Sequence, residues 1–405
     1  MKRNSPGREV WNRFRRNHLA VSGMLIILFS VFVSLFCYTF IPDRTPNAAR
    51  MNLVLGNIKP GTDVKILKFR KQQSPESSSA LSRIFIGVID VHEHVAVNEY
   101  RFVDGKIIYK EYSSLEETDL PEKEISLAAA LFRVDEDSPQ NVDSGRLSFL
   151  SPDGKEHSED ISSMQAVFEK ENVETSTFWL GTDKYGRDLL SRLLAGTRVT
   201  FGVGLLAVIL SLLLGVFFGS MAGFFRGKVD SAVLWLINVV WSIPTLLLVI
   251  AITLVLGKGF EQVFIAVGIT MWVDVARIVR GQLFSVRELE FVSAGRAMGF
   301  SSSRIVMRHM LPNIMGPVLV VAASNFSTAI LLEAGLSFLG IGAQPPVPSW
   351  GAMIKENYGF IIIPGSAHLA IFPGLAIMLL TMAFTFVANG LRDALDSRQQ
   401  ISLGA

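Results

Sequence analysis

His92-Glu93-His94 is the first place where residue types and spacing could do chemistry. In a strand the two imidazoles share a face, and at that spacing they could supply two ligands to a metal ion. A third ligand is not evident, and exposed polar positions on a strand account for the triplet better, so no metal site is expected. The chain has no Gly-rich loop ending in Lys-Ser/Thr, no H-E-x-x-H and no G-x-S-x-G. No catalytic centre, nucleotide site or cofactor of its own is therefore expected. Cys37 is the single cysteine, which excludes a disulfide within the chain and any Cys-based zinc set.

Three further places are polar where the surroundings are not. Gly181 and Gly186 bracket a turn in Gly181-Thr182-Asp183-Lys184-Tyr185-Gly186-Arg187-Asp188, and Asp188 would cap or enter the following helix. Arg187, Arg192 and Arg198 could pair with these acids or reach lipid headgroups. Glu333 falls within or at the end of an apolar run, where an acid is costly unless paired or wetted. It could line a path and meet a peptide amine, or pair with one of those arginines. Asp274 and Arg277, at i and i+3, could neutralise each other.

The elements that must position these residues are membrane spans. Half the residues are apolar, only 18% are charged, and mean hydropathy is +0.39, which excludes a disordered chain and an ordinary soluble enzyme. Six segments are long and apolar enough to cross a bilayer: Leu19 to Phe40, Val199 to Phe224, Ala232 to Leu256, Val263 to Val279, Ile314 to Phe338 and Leu369 to Leu391. The first is read as a retained anchor. Pro244 lies inside the third, where freed backbone groups can face a cavity or simply kink a core helix. Arginines and lysines concentrate before the first span and after the second, fourth and sixth. By the basic-residue rule both termini are cytoplasmic.

Two-thirds of the 36 acidic residues lie between Pro42 and Phe178. That segment reads as a separate, mainly β domain outside the membrane. Alternation over Ile84 to Ile89 and Tyr100 to Tyr109 suggests strands, and Asp104-Gly105 between two β-rich runs predicts a hairpin. Ser-rich Gln73 to Ser79 and acidic Glu116 to Glu124 read as loops.

Between Arg280 and Asn313 lies a loop of roughly 33 residues, far longer than a connection needs. Phe291, Ala294 and Met298 recur at helical spacing, Gly299 fits a helix C-terminal turn, and Ser301 or Ser302 fits an N-cap. A second short helix is predicted to run to Met310 and stop before Pro312.

The spacing of Ser293-Ala294-Gly295, Gly299 and Leu311-Pro312 resembles the EAA loop of membrane subunits of binding-protein-dependent ABC importers. Ser293 replaces Glu, Gly295 replaces the second Ala, and His309, after Arg308, replaces Ile. Glu333 to Gly340, Pro345 to Trp350-Gly351, Pro373-Gly374, Asn389 to Asp396 and the Gly181 to Asp188 motif resemble the C-type permease of dipeptide, oligopeptide and nickel importers. The resemblance covers residues 1–40 and 179–398; in this family the intervening outer segment is normally much shorter.

The resemblance implies an α-helical membrane protein with six transmembrane helices and a large extracytoplasmic insert between the first two. Residues 1–40 would form the cytoplasmic N-terminus and first helix, 41–178 the insert, and 179–405 the permease core with a coupling loop at 280–313. It further implies one half of an inner-membrane pore, with a homologous second permease, two ABC ATPase subunits and an external substrate-binding protein as partners, and no nucleic acid. ATP would be hydrolysed on the partners. Ser293, Ala294, Gly295, Gly299, Arg304, Arg308, His309, Leu311 and Pro312 would form the ATPase-coupling surface. A membrane sensor with an outer ligand-binding domain is the alternative, but it calls for a signalling domain and only about 14 residues follow Leu391. A membrane-embedded enzyme lacks any nucleophile or metal constellation.

Overall fold

A computed structural model describes residues 6–72, 80–113, 120–135 and 140–396. The expected loop Gln73 to Ser79 and the first part of the acidic stretch, 116–119, lie outside the described residues. The chain divides into two compact units. One comprises Met1–Leu35, Gly196–Tyr358 and Ala370–Ala405; the other comprises Phe36–Ala195 and Gly359–Leu369.

The short α1 (Pro6–Phe14) precedes α2 (His18–Phe40), an uninterrupted apolar helix. The second unit then builds β1 (Thr62–Arg70), α3 (Ala80–Phe85), β2 (His92–Val103), β3 (Lys106–Glu111), β4 (Lys123–Ser126), α4 (Leu127–Leu131), β5 (Asn141–Asp143), β6 (Arg146–Leu150), β7 (Glu156–Asp160), α5 (Ile161–Glu171) and β8 (Val173–Phe178). Five of the strands form one antiparallel sheet in the order β4-β3-β2-β1-β8, and β5-β6-β7 form another. Asp104 and Gly105 both take positive φ, as the tight β2–β3 hairpin requires, and Ser144-Gly145 repeats the device between β5 and β6. Leu67, Phe69, Ile107, Leu127, Phe149 and Phe168 close the core between the sheets and α4 and α5.

The alternation over Ile84 to Ile89 does not make a strand. Ile84 and Phe85 end α3, and a turn follows. A run of six with a glycine at its centre has too little length for its period to decide between helix and strand.

The remaining helices are α6 (Leu189–Phe225), α7 (Gly227–Trp241), α8 (Thr245–Leu256), α9 (Phe260–Val286), α10 (Glu290–Ala297), α11 (Ser302–Ile305), α12 (Leu311–Leu339), α13 (Trp350–Asn357) and α14 (His368–Leu395). Five stretches among the described residues are long and apolar enough to cross a membrane: α2, α6, α9, α11 running into α12, and α14. The expected third span, Ala232 to Leu256, is not one helix. It is the pair α7 and α8, bent by 89° across Ser242 to Pro244. Pro244 has no N–H to continue the ladder, and its ring excludes the helical carbonyl behind it.

Helix α6 is 37 residues long, so the helix expected before the second span is continuous with it. Its Gly215, Gly219 and Gly223 form a ridge, one residue per turn, against Val275, Ala276 and Leu283 of α9. A Cβ at Gly219 would stand 2.6 Å from the Ala276 carbonyl oxygen. Small residues at this spacing let membrane helices approach until their backbones are nearly in contact. Asn325 of α12 donates to Ser211 Oγ at 3.3 Å and the Met271 carbonyl at 3.5 Å, a buried polar tie among α12, α6 and α9. Close approach recurs where α2 meets α14, at Gly23 against Ala383.

Candidate functional site

The segment 280–313 folds as two short helices around a tight corner. Helix α10 turns its Val292 inward to join Phe224, Ile305, Met310 and Leu311, with Gly295 buried beside Phe300 and Ile305, and leaves Phe291, Ala294 and Met298 exposed. Gly295 fits because a Cβ there would only touch Phe300 and Ile305. Gly299 ends the helix with φ +75°, and Ser301 caps α11 by accepting from the Arg304 N–H at 3.4 Å. Arg304 and His309 both lie against the Phe300 ring. Ser293, Arg304 and Arg308 are exposed.

The predicted stop before Pro312 does not occur. Residues Val306–Met310 widen into a π-turn that passes directly into α12, with Pro312 in its first turn. Pro312 has no N–H to return to the preceding turn, so that bond is missing from the continuous helix. The wider turn absorbs the change of pitch.

The Gly181 to Asp188 motif closes on itself within the second unit. Asp183 accepts from the Tyr185 N–H at 2.9 Å, the Arg187 N–H at 3.1 Å and Arg187 Nε at 2.6 Å, with Arg192 Nε 3.8 Å away. Thr182 donates its hydroxyl to the Leu55 carbonyl and accepts from the Ile58 N–H at 2.9 Å. Gly181 and Gly186 both have positive φ, and any Cβ on Gly186 would overlap the Asn52 carbonyl. Asp188 caps α6 by accepting from the Ser191 N–H and hydroxyl, and Ser191 Oγ in turn accepts from the Asp43 N–H at 3.0 Å. Asp183, Arg187, Asp188 and Arg192 are all buried.

Glu333 is almost completely buried in α12. Its Oε1 accepts from the Ser337 hydroxyl one turn on, at 2.7 Å, and Ser337 Oγ also accepts from the Ala343 N–H. A serine hydroxyl thus meets one carboxylate oxygen of Glu333. Arg198 is half-buried on α6. Arg277 lies over the Trp241 ring, 3.7 Å from its centroid, and Asp274 is exposed one turn away on the same helix.

His92 and His94 do share a face of β2, but the neighbouring acid is engaged. Asp90 Oδ2 binds His94 Nε2 at 2.9 Å and Arg50 Nη2 at 2.7 Å. Burial alone would raise the Asp90 pKa; the hydrogen bond to His94 and the Arg50 charge outweigh it and hold this carboxyl well below the usual carboxylate range. Burial, followed by the Arg70 charge, pushes the His92 imidazole down. No group of three or more metal-ligating side chains is found among the described residues.

Two family profiles match the chain: the N-terminal TM domain of oligopeptide transport permease C over residues 5–58, and the binding-protein-dependent transport system inner membrane component over residues 215–401. A glutathione transport system permease protein, GsiD, of Pectobacterium atrosepticum is 38% identical over 224 residues, which span 55% of this chain and 74% of the relative. The chain belongs to the binding-protein-dependent transport system inner membrane component family. The permease is equally similar to the oligopeptide transport system permease protein OppC of Bacillus subtilis, 39% identical over 54% of this chain and 72% of that one. Among solved structures, an inward-facing methionine ABC transporter, MetNI, aligns with a TM-score of 0.43 at 18% identity, covering 51% of this chain and 98% of that chain. Residues 59–214 of the permease lie outside both profile matches.

Two features of this ABC importer permease escaped sequence reasoning. The Gly215, Gly219, Gly223 ridge was readable as a glycine at every fourth position. The role of residues 43–58 as hydrogen-bond partners of the 182–191 motif was not, because the two segments are more than 120 residues apart and share no local pattern.

Proposed function

We propose that this permease carries peptides, or a related small solute such as a nickel chelate, inward across the bacterial inner membrane as one half of a pore. A homologous second permease would complete the pore, two ABC ATPase subunits would hydrolyse ATP, and an extracytoplasmic binding protein would deliver the substrate. Both termini and the loop 280–313 face the cytoplasm, and the mainly β insert faces outward. The observation that carries the coupling assignment is the exposed apolar row Phe291, Ala294 and Met298, set beside the Gly299 corner and anchored from behind by Val292 and Gly295. An apolar row held outward on a rigid helix pair is a surface suited to a partner cleft. The relatives' names, glutathione and oligopeptide permeases, support the substrate class.

The test is purification from native membranes followed by reconstitution. ATPase subunits should co-purify with the wild-type chain, and proteoliposomes holding the complex and its binding protein should take up labelled dialanine only with ATP. An Ala294→Asp variant should lose the ATPases while staying in the membrane. Uptake independent of ATP, or full ATPase retention by that variant, refutes the proposal.

A further inference from the structure

Helix α9 is the most covered of the apolar spans among the described residues, and between Val263 and Val279 only Ile269, Asp274, Arg277 and Ile278 are exposed. Asp274, Arg277, Ile278, Gly281 and Ser285, all exposed, follow one another at i, i+3, i+4, i+7 and i+11. They form one strip from the middle of the helix to its C-terminal end. Toward the N-terminus the same face is closed, since Val267, Thr270 and Met271 are buried. Asp274 therefore stands at the blind end of an open strip.

That acid decides what can cover the strip. Among the described residues its carboxyl has no hydrogen bond and no ion pair within 4 Å; Arg277, three residues on, is instead turned to the Trp241 ring, 3.7 Å from its centroid. An acid at mid-span against lipid is costly, and an aspartate is too short to reach the headgroups as an arginine can. A second observation points the same way. Trp241 ends α7, and Ser242, Ile243 and Pro244, where the span breaks by 89°, are all exposed. Irregular backbone at membrane depth is tolerated where it is buried in protein or lines a water-filled cavity, and not against lipid. The Arg277–Trp241 contact sets this corner beside the strip.

We propose that the strip and the α7–α8 corner line a water-filled inner half of the transport path, and that Asp274 seats the ammonium group of a peptide passing through it. A cation seated there supplies the partner that Arg277, held on Trp241, does not. The inward direction and the choice of a peptide rest on the transport function proposed above; the wetness of the strip does not.

The experiment is thiol labelling of Ile278→Cys, one turn from Asp274, in a Cys37→Ser chain. The complex, purified from native membranes, is held nucleotide-free in lipid nanodiscs, and labelling is read on this chain by mass spectrometry. A trimethylammonium-ethyl and a sulfonato-ethyl methanethiosulfonate, both of which reach thiols only through water, should label Ile278→Cys. Leu213→Cys, exposed on apolar α6, should stay unlabelled. Adding Asp274→Asn should lower the ratio of cationic to anionic labelling rates about three- to tenfold, the effect of removing one charge about 6 Å away in water. Dialanine should slow the labelling of Ile278→Cys, and N-acetyl-dialanine, which lacks the ammonium group, should not. An unreactive Ile278→Cys, equal labelling of Leu213→Cys, an unchanged ratio in Asp274→Asn, or no difference between the two peptides overturns the proposal. If Asp274→Asn fails to assemble, the two reagents and two peptides on Ile278→Cys decide alone. Dialanine uptake by the reconstituted transporter without protection would remove the seat and leave the transport function standing. Protection without uptake would do the reverse.

Discussion

At Gly299 the backbone sits at φ +75° with nothing within 4 Å of where a Cβ would be. Substitution there is penalised by conformation alone and not by crowding. Gly299→Val should cost about 1–2 kcal/mol of local stability, enough to re-aim α10 against α11. Membrane insertion and binding-protein docking should survive, while substrate-stimulated ATP hydrolysis and uptake fall together. Wild-type stimulation in a normally expressed variant would refute the role of the corner. The Asp90 and His92 pair gives a pH prediction. Asp90 is depressed in the fold, so its contribution is present above the unfolded value near 3.8 and is lost as pH falls below it. His92 is also depressed, so the fold favours its neutral form and loses stability as pH falls through the unfolded value near 6.5. Hydrogen-exchange protection of β1 and β2 should drop once between about pH 7 and 5 and again below about pH 4, and Asp90→Asn should abolish the second drop. A flat profile in the wild type would show that neither group is linked to folding. Among single residues, the turn glycines and the capping Ser301 were legible because each answers a local rule. The Ser337 partner of Glu333 was not, because Glu-x-x-x-Ser is too common a spacing to announce a buried hydrogen bond.

At the scale of elements, the α6–α9 contact depends on the absence of side-chain atoms. A valine at Gly219 would drive its Cβ into the Ala276 carbonyl and Val279. The helices must separate, and the packing lost should cost about 1–3 kcal/mol. Gly219→Val should lower the thermal midpoint of the detergent-solubilised chain, whereas Gly281→Ala, in the interior of α9 with open space around it, should leave it unchanged or raise it slightly. Equal midpoints for both would mean that the ridge is loosely packed. The long apolar helices were readable because hydropathy over about 20 residues is a strong signal. The 89° break at Ser242 to Pro244 was readable only as a weak point, since a proline in a span is compatible with anything from a kink to a corner. The π-turn over Val306–Met310 had no sequence mark at all.

For the whole molecule, the first family profile ends at residue 58 and β1 begins at Thr62. β1 and β8 are antiparallel neighbours, with Thr62 opposite Phe178, so the domain enters and leaves the chain side by side. Residues 43–58 stay behind as partners of the 182–191 motif. Replacing 63–177 by a two-residue turn should therefore leave an inserted permease that still retains its ATPases. A cut from Asn47 to Glu171 also removes the Asn52 N–H that donates to the Tyr185 carbonyl and the Leu55 carbonyl that accepts from Thr182, and should yield a protein prone to proteolysis near Asp183. Equal stability of the two deletions would show that segment 43–58 contributes nothing. This base was not legible in the sequence, because a pairing between residues 62 and 178 leaves no local trace. The hairpin at Asp104-Gly105, whose strands are adjacent in the chain, was legible.

The paired ends at Thr62 and Phe178 also bear on the ancestry of the molecule. Two hydrogen-bonded strand ends form a natural splice point: an ancestral short loop could gain, lose or exchange a domain there in a single recombination event. No residue of the transport helices would have to change to accommodate it. Lineages of this family should therefore differ abruptly in the size of this segment, with unrelated folds grafted between the same two positions.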